Sequence, residues 1–129
     1  MPVTYAIDAN QKIIRTHCVG NVKLDEVLDH FRELEQDPAC PDRLDVLLDL
    51  TENASLPESS QLTAVAHQIK GIQPRVQFGI CAIIAPRDAL FGMLRVFEVM
   101  AQPYFRVIHV FRVVADAETW LQSERLPPK

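Results

Sequence analysis

The stretch that most constrains the fold is "DVLLDLTENASLPES", residues 45–59. Its apolar residues, 46–48, are consecutive rather than alternating, which is typical of a central strand that is covered on both faces. The polar residues that follow Leu50, and then Pro57, predict that this strand ends near Leu50 and that a helix begins soon afterwards. A buried strand, a short loop and a helix form the repeating unit of parallel α/β proteins.

The loop at the end of this strand has two interpretations. Ser55 and Glu58 have the Ser-x-x-Glu spacing of a capping box, in which the serine oxygen accepts a backbone N–H of the first helical turn. In the alternative interpretation, the loop lines a crevice at the carboxyl end of the sheet, where open α/β folds bind ligands. The residues of this possible partner or ligand loop, in which a hydroxyl could also accept phosphate, are Asp49, Thr51, Asn53 and Ser55.

Outward from this stretch, strand-like and helix-like segments alternate along the chain. Two β-rich segments near the N-terminus, "VTYAID" and "KIIRTHCVG", are close enough in sequence to form an antiparallel hairpin. Apolar residues at three- and four-residue spacing predict a helix in "LDEVLDHFRELEQD". The remaining predicted elements are, in order, the strand "LDVLLDL", the helix "LPESSQLTAVAHQIKG", the strand "QFGICAIIA", the helix "PRDALFGMLRVFEVMAQ", a strand within "FRVIHVFRVV" and the short helix "DAETWLQSE".

This order of elements predicts a single α/β domain over residues 1–129. Helices between strands imply crossover connections and a mainly parallel sheet of five strands, to which the initial hairpin adds an antiparallel pair. About four helices should pack against this mixed sheet. The last residues, "RLPPK", are expected to fray from the domain.

Charge and composition argue against two large classes of function. The 129 residues carry a net charge of −4, and the basic side chains are scattered among acidic ones, so no nucleic-acid-binding surface is expected. No apolar stretch is long enough to cross a membrane, and the first residues lack the pattern of a signal peptide. These features favour a cytoplasmic protein that does not span a membrane.

No catalytic or metal-binding motif is recognisable. The chain has four glycines and neither a glycine-rich nucleotide loop nor a nucleophile elbow, and its four histidines fall on different predicted elements. Of the three cysteines, Cys18 and Cys81 lie in apolar strands and are predicted to be buried, whereas Cys40, in a proline-rich loop, is predicted to be the most exposed. We therefore expect no catalytic residues, no metal and no bound cofactor.

The third predicted helix has more apolar surface than one core face requires. The stripe that should face the sheet contains Leu90, Leu94, Phe97 and Ala101. The residues off this stripe, which are candidates for an interface with a second copy of the chain or for a ligand pocket, are Phe91, Gly92, Arg95, Val96 and Val99. A glycine within a helix costs about 1 kcal/mol relative to alanine, which favours a close approach by a partner or ligand.

In the alternative interpretation, this helix is wedged between neighbouring elements of the same domain. Arg95 and Glu98 have the three-residue spacing of an ion pair. If that pair is exposed, it contributes little to stability.

Several of these strings resemble one protein family. The strings "VLLDL", "AIIAPRDALFGMLRVFE" and "VFRVVADAETWL", taken with the initial hairpin, resemble the small stand-alone STAS-like (SpoIIAA-like) domains, which are related in fold to anti-sigma-factor antagonists. The resemblance implies a non-catalytic domain that takes part in protein interaction or regulation. It also implies a second possibility, because related lipid-exchange-type domains carry hydrophobic ligands.

This chain differs from the antagonists in one motif. In the antagonists, a serine at the start of the second helix is phosphorylated within a motif like Asp-Ser-x-Gly. This chain has Asp49-Leu50-Thr51-Glu52-Asn53 there and lacks the Ser-x-Gly element. The leading expectation is an interaction or regulatory module whose partner is another protein or a second copy of the chain. The alternative is a carrier or sensor of a small hydrophobic, lipid-like ligand held between the second and third helices and the sheet.

Overall fold

The predicted strands and helices are present in the predicted order. The computed structural model describes residues 2–125, so residues 126–129 of the tail that is expected to fray lie outside the described residues. A single 3₁₀ turn, Gln102–Tyr104, follows the third helix. The strands and helices are β1 (Val3–Asp8), β2 (Ile13–Gly20), α1 (Leu24–Gln36), β3 (Arg43–Asn53), α2 (Ser59–Ile72), β4 (Gln77–Ile84), α3 (Asp88–Ala101), β5 (Val107–Phe111) and α4 (Val114–Glu124).

The five strands form one mixed sheet in the order β1-β2-β3-β4-β5. The hairpin of β1 and β2 is antiparallel, and each later pair of neighbours is parallel. This layout confirms the predicted α/β architecture. The central strand is β3, as its uninterrupted apolar run predicts.

Helices cover both faces of the sheet, but unequally. The larger core lies between the sheet and α1–α3, and the smaller one lies under α4. Neighbouring residues of a strand point to opposite faces, so Ile14 belongs to the larger core and Ile13 to the smaller. The side on which α1–α3 pack is therefore where a sizeable interior can form.

The predicted end of β3 is wrong, because the strand continues to Asn53. Glu52 and Asn53 lie opposite Val19 and Gly20 of β2, so their backbone remains in the ladder although their side chains are polar. From the pair His17–Asp49 to the pair Val19–Glu52, β2 advances by two residues and β3 by three. This bulge shifts the alternation of side chains at the carboxyl end of β3.

Ser55 does not cap α2, so the predicted capping box is also wrong. The helix begins at Ser59, and its N-cap is Glu58. The backbone N–H of Glu58 donates to Oε1 of Gln61 at 2.8 Å, which is the return bond of a capping box displaced by three residues. Ser55 lies before the helix, where its hydroxyl bonds other groups.

The three cysteines are all buried. This confirms the prediction for Cys18 and Cys81 and contradicts the one for Cys40, which is only 4% exposed. The guanidinium of Arg75 donates to the carbonyl oxygens of Asp37 and Cys40 at 3.2 and 2.8 Å, and these bonds hold the proline-rich loop against the domain. Loop composition alone did not reveal this anchor.

Candidate functional site

A cavity of about 160 Å³ lies between the sheet and helices α1–α3. Its floor is formed by alternate residues of β2, β3 and β4, and its roof by the inner faces of the three helices. Nearly all of the lining is hydrocarbon, and its contributors include Leu48, Ile83, Leu90, Leu94 and Phe97. The α3 residues that the sequence assigns to the core stripe therefore also form part of the cavity wall.

Two groups of polar residues interrupt this apolar lining. Thr16 on β2 and His30 on α1 form the first group, and both are buried. The second group lies where the strands end and the next helices begin, and it consists of Lys23, Asn53, Ser55 and Gln61. A mostly apolar wall with a few polar groups is the usual composition of a small-molecule site.

His30 is a buried imidazole whose Nδ1 has no hydrogen-bond partner within residues 2–125. The residue is 9% exposed, and its ring lies 5.1 Å from that of Tyr5 and 5.2 Å from that of Phe31, centroid to centroid. Burial disfavours the charged form and lowers the pKa of His30 to about 4. The ring is therefore neutral at pH 7.

His30 lines the cavity but was not among the site residues predicted from the sequence. Its position three residues after Val27 and four before Leu34 places it on the inward face of α1. That spacing was the available signal, but it does not distinguish a packed histidine from one that lines a cavity.

Asn53 and Ser55 join the loops at the carboxyl end of the cavity. Oδ1 of Asn53 accepts the Ser55 N–H at 3.1 Å and the Ser55 hydroxyl at 2.7 Å. Oγ of Ser55 accepts the N–H of Val22, in the β2–α1 loop, at 3.1 Å. Arg87, the residue before α3, donates to the Ser55 carbonyl at 2.8 Å. These bonds connect the segments that precede α1, α2 and α3, so the rim of the cavity is held in place.

Asp49 and Thr51, the other two residues of the predicted loop, do not line the cavity. Oδ1 of Asp49 accepts both the N–H and the hydroxyl of Thr51, at 2.9 and 2.7 Å. Leu48 and Leu50 line the cavity, so Asp49 between them points to the opposite face of the sheet. The four-residue site predicted from the sequence is thus divided between two faces.

The candidate interface residues of α3 lie outside the cavity. Phe91 is half-buried against the core, and the guanidinium of Arg112 lies 4.2 Å from its ring centroid. Val96 and Val99 are 43% and 70% exposed, and Gly92 and Arg95 are exposed as well. This placement contradicts the interpretation in which the whole helix is wedged inside the domain. None of the five residues lines the cavity, and their role at an interface stays a prediction.

Glu98 pairs with Arg95, as the three-residue spacing predicts, but the glutamate itself is mostly buried. Its side chain is 17% exposed, and Oε1 accepts the backbone N–H of Val110 on β5 at 3.1 Å. Arg95 and His109 also approach its carboxylate, at 3.6 and 3.7 Å. Glu98 therefore bonds to a donor on the edge strand as well as to its neighbour on the helix.

The two thiols that line the cavity, Cys18 and Cys81, are poor nucleophiles. Burial raises the pKa of Cys18 to about 11, and burial also raises the pKa of Cys81. Among the described residues, no group of three or more histidine, cysteine or acidic side chains could hold a metal ion. Within the same part of the chain, no helix has both the length and the apolar composition to cross a membrane.

Comparisons with known proteins leave the chain without a family assignment. No protein-family model matches it, and no curated protein matches it either. The cavity and its polar groups are therefore the observations from which a function is argued.

Proposed function

We propose that this protein is a non-catalytic, STAS-like domain that binds a small hydrophobic ligand in the cavity beneath α1–α3, as a carrier or a sensor. The cavity itself is the observation that carries the proposal. Protein interiors are packed as densely as organic crystals, and few voids exceed the size of a water molecule. A cavity of about 160 Å³ is a departure from that rule that a bound ligand would explain.

The apolar lining supports the same conclusion. Hydrocarbon side chains that face an unfilled space lack dispersion contacts on that side. A ligand that filled the cavity would supply these contacts.

The rim of the cavity supports the proposal independently. The bonds among Asn53, Ser55 and Val22 fix the loops around one end without filling the space between them. A rim that is already ordered reduces the entropy lost on binding. The STAS-like part of the proposal is supported by the strand and helix order and by the strings that resemble that family.

A second candidate function is protein interaction through the outer side of α3. The supporting observation is the exposure of two valines, Val96 and Val99, on one helix. Neighbouring exposed apolar side chains can mark an association site. This function and ligand binding use opposite sides of α3 and are compatible.

Titration with toluene, followed by NMR of the isolated chain, tests the leading proposal. We expect shifts at residues that line the cavity, such as Leu48 and Ile83, with saturation. Leu94→Trp should weaken the affinity at least tenfold, because the larger ring would occupy the cavity from its α3 wall. Leu56→Trp is the matched control, since Leu56 is 51% exposed and is not part of the wall. Toluene shifts that avoid the cavity, or equal affinity in both variants, would contradict the proposal.

A further inference from the structure

We infer that the ligand is a single-chain carboxylate of the fatty-acid class, with its alkyl tail in the apolar part of the cavity and its carboxylate at the end that contains Lys23 and Gln61. The inference rests on the proposed function, and it names the chemical class of the ligand. It is carried by the uneven distribution of charged and polar groups along the cavity wall.

The cavity wall is polar at one end and apolar at the other. Strands β2, β3 and β4 are parallel, so residues late in each strand mark one end of the cavity and residues early in each strand mark the other. The late end contains the polar group around Lys23, and the early end is formed by Leu34, Phe78 and Phe105. Thr16 and His30 lie between the two ends. A ligand that matches this wall has one polar end and a hydrocarbon body.

The apolar floor of the cavity is elongated. On β4 it extends from Phe78 through Cys81 to Ile83, which is roughly 17 Å at the rise of a β-strand. On β3 the wall extends from Val46 to Asn53, over a similar or greater length. An extended alkyl chain can contact such a floor along its whole length.

Lys23 supplies a positive charge at the polar end. It is the one exposed residue of the described wall, which also contains no other lysine or arginine and no acidic residue. Within residues 2–125, its ammonium group forms no ion pair. The acidic residues at the starts of α1 and α2, Asp25, Glu26 and Glu58, lie outside the wall. An anion bound beside Lys23 keeps part of its contact with water, which reduces the cost of burying its charge.

The polar side chains that remain available at this end are hydrogen-bond donors. Oε1 of Gln61 accepts the Glu58 N–H, so its Nε2 remains as a donor beside the Lys23 ammonium. Oδ1 of Asn53 and Oγ of Ser55 already accept bonds within the rim. A carboxylate has two oxygens that only accept, so it fits these donors. A phosphate monoester would bring nearly two negative charges to a single lysine.

Three probes with the same tail test the inference by NMR titration at pH 7: decanoate, decylammonium and 1-decanol. In the wild type, decanoate should bind at least tenfold more tightly than decylammonium. In Lys23→Gln, the affinity for decanoate should fall at least fivefold, because the positive charge of the wall is lost, and that for 1-decanol should change less than twofold. Lys70→Gln, at an exposed position of α2 outside the wall, should leave all three affinities unchanged.

Two measurements on the wild type keep the test valid if Lys23→Gln does not fold. Intermolecular NOEs should connect the methylene next to the carboxylate with Lys23 and the terminal methyl group with Ile83. Hexanoate should bind at least tenfold more weakly than decanoate, because it has four fewer methylene groups to bury.

Failure of the inference can be distinguished from failure of the proposed function. The inference is wrong if decylammonium binds as tightly as decanoate, if Lys23→Gln and Lys70→Gln behave alike, if the NOEs show the reverse orientation, or if hexanoate binds as tightly as decanoate. It is also wrong if toluene binds in the cavity and no alkyl probe does. In each of these cases the proposed function stands. If neither toluene nor any alkyl probe perturbs the cavity residues, the proposed function itself fails.

Discussion

At the scale of single residues, His30 should make stability depend on pH. Its pKa is about 4 in the fold and about 6.5 in the unfolded chain, so the unfolded state binds more protons between these values. The stabilising contribution of the neutral ring is therefore complete above pH 6.5 and is lost as the pH falls toward 4. The free energy of unfolding should decrease by about 2 kcal/mol from pH 7 to pH 5 because of this one residue.

Urea denaturation of the wild type and His30→Phe at both pH values measures this contribution. The variant should lose about 2 kcal/mol less than the wild type on acidification, because phenylalanine has no proton to gain. His67→Gln, on the exposed side of α2, should retain the full loss. Parallel pH profiles for the wild type and His30→Phe would show that the ring is not held neutral by burial.

A single extra residue in β3 explains why the four predicted loop residues do not form one site. The sequence places Asp49, Thr51, Asn53 and Ser55 together, but only Asn53 and Ser55 reach the cavity. The extra residue of β3 between Asp49 and Glu52 changes the alternation there. A bulge depends on how two strands pair, so periodicity within one strand does not reveal it.

At the scale of elements, the contact between α3 and β5 depends on Glu98. Its Oε1 accepts the N–H of Val110, a donor on the open edge of the sheet. Glu98→Ala removes the acceptor and leaves the N–H of the buried residue Val110 without its partner, so we expect a loss of about 2 kcal/mol in the free energy of unfolding. Glu98→Gln keeps an acceptor and should cost less than about 1 kcal/mol.

Denaturant melts of the two variants decide between the backbone bond and the ion pair. Arg95→Ala is the control, and it should change stability by less than about 0.5 kcal/mol, because an exposed partner contributes little. Equal losses in Glu98→Ala and Glu98→Gln would mean that charge, and not the bond to Val110, stabilises this contact.

The elements themselves were predictable because each has a strong local signal. The apolar runs of β3 and β4 indicate buried parallel strands, and the spacing of Leu90, Leu94 and Phe97 indicates the inner face of α3. The start of α2 was not predictable from the Ser55–Glu58 pair. Glu58 and Gln61, three residues later, also have the capping-box spacing, and they form the bond. The sequence alone does not show which of the two pairs caps the helix.

At the scale of the whole molecule, the exposed side of α3 predicts a homodimer. Val96 and Val99 face outward, and the space beside Gly92 is open, so two copies of the helix could approach closely about a two-fold axis. Val96→Glu should convert this dimer into a folded monomer, because it places two like charges at a desolvated contact.

Analytical ultracentrifugation together with circular dichroism measures both the size and the fold of this variant. Val113→Glu, at an exposed position between β5 and α4, should remain a dimer. A wild type that sediments as a monomer, or a Val96→Glu variant that remains a dimer, would contradict this interface.

The existence of the cavity could not be predicted from the sequence. Its lining is contributed by separate strands and helices, and each lining residue, such as Ile83 or Leu94, has the pattern of an ordinary core residue. Whether such side chains meet or leave a space depends on the distance between the sheet and three helices. No local pattern encodes that distance.

The central claim is that this space is a real apolar site, and a crystal structure under xenon pressure tests it most directly. Xenon binds in apolar cavities that water does not fill. We predict a xenon peak between the sheet and α1–α3, bordered by Leu48, Ile83 and Leu94. A structure without xenon there, with the surrounding side chains packed against one another through the same space, would contradict the account.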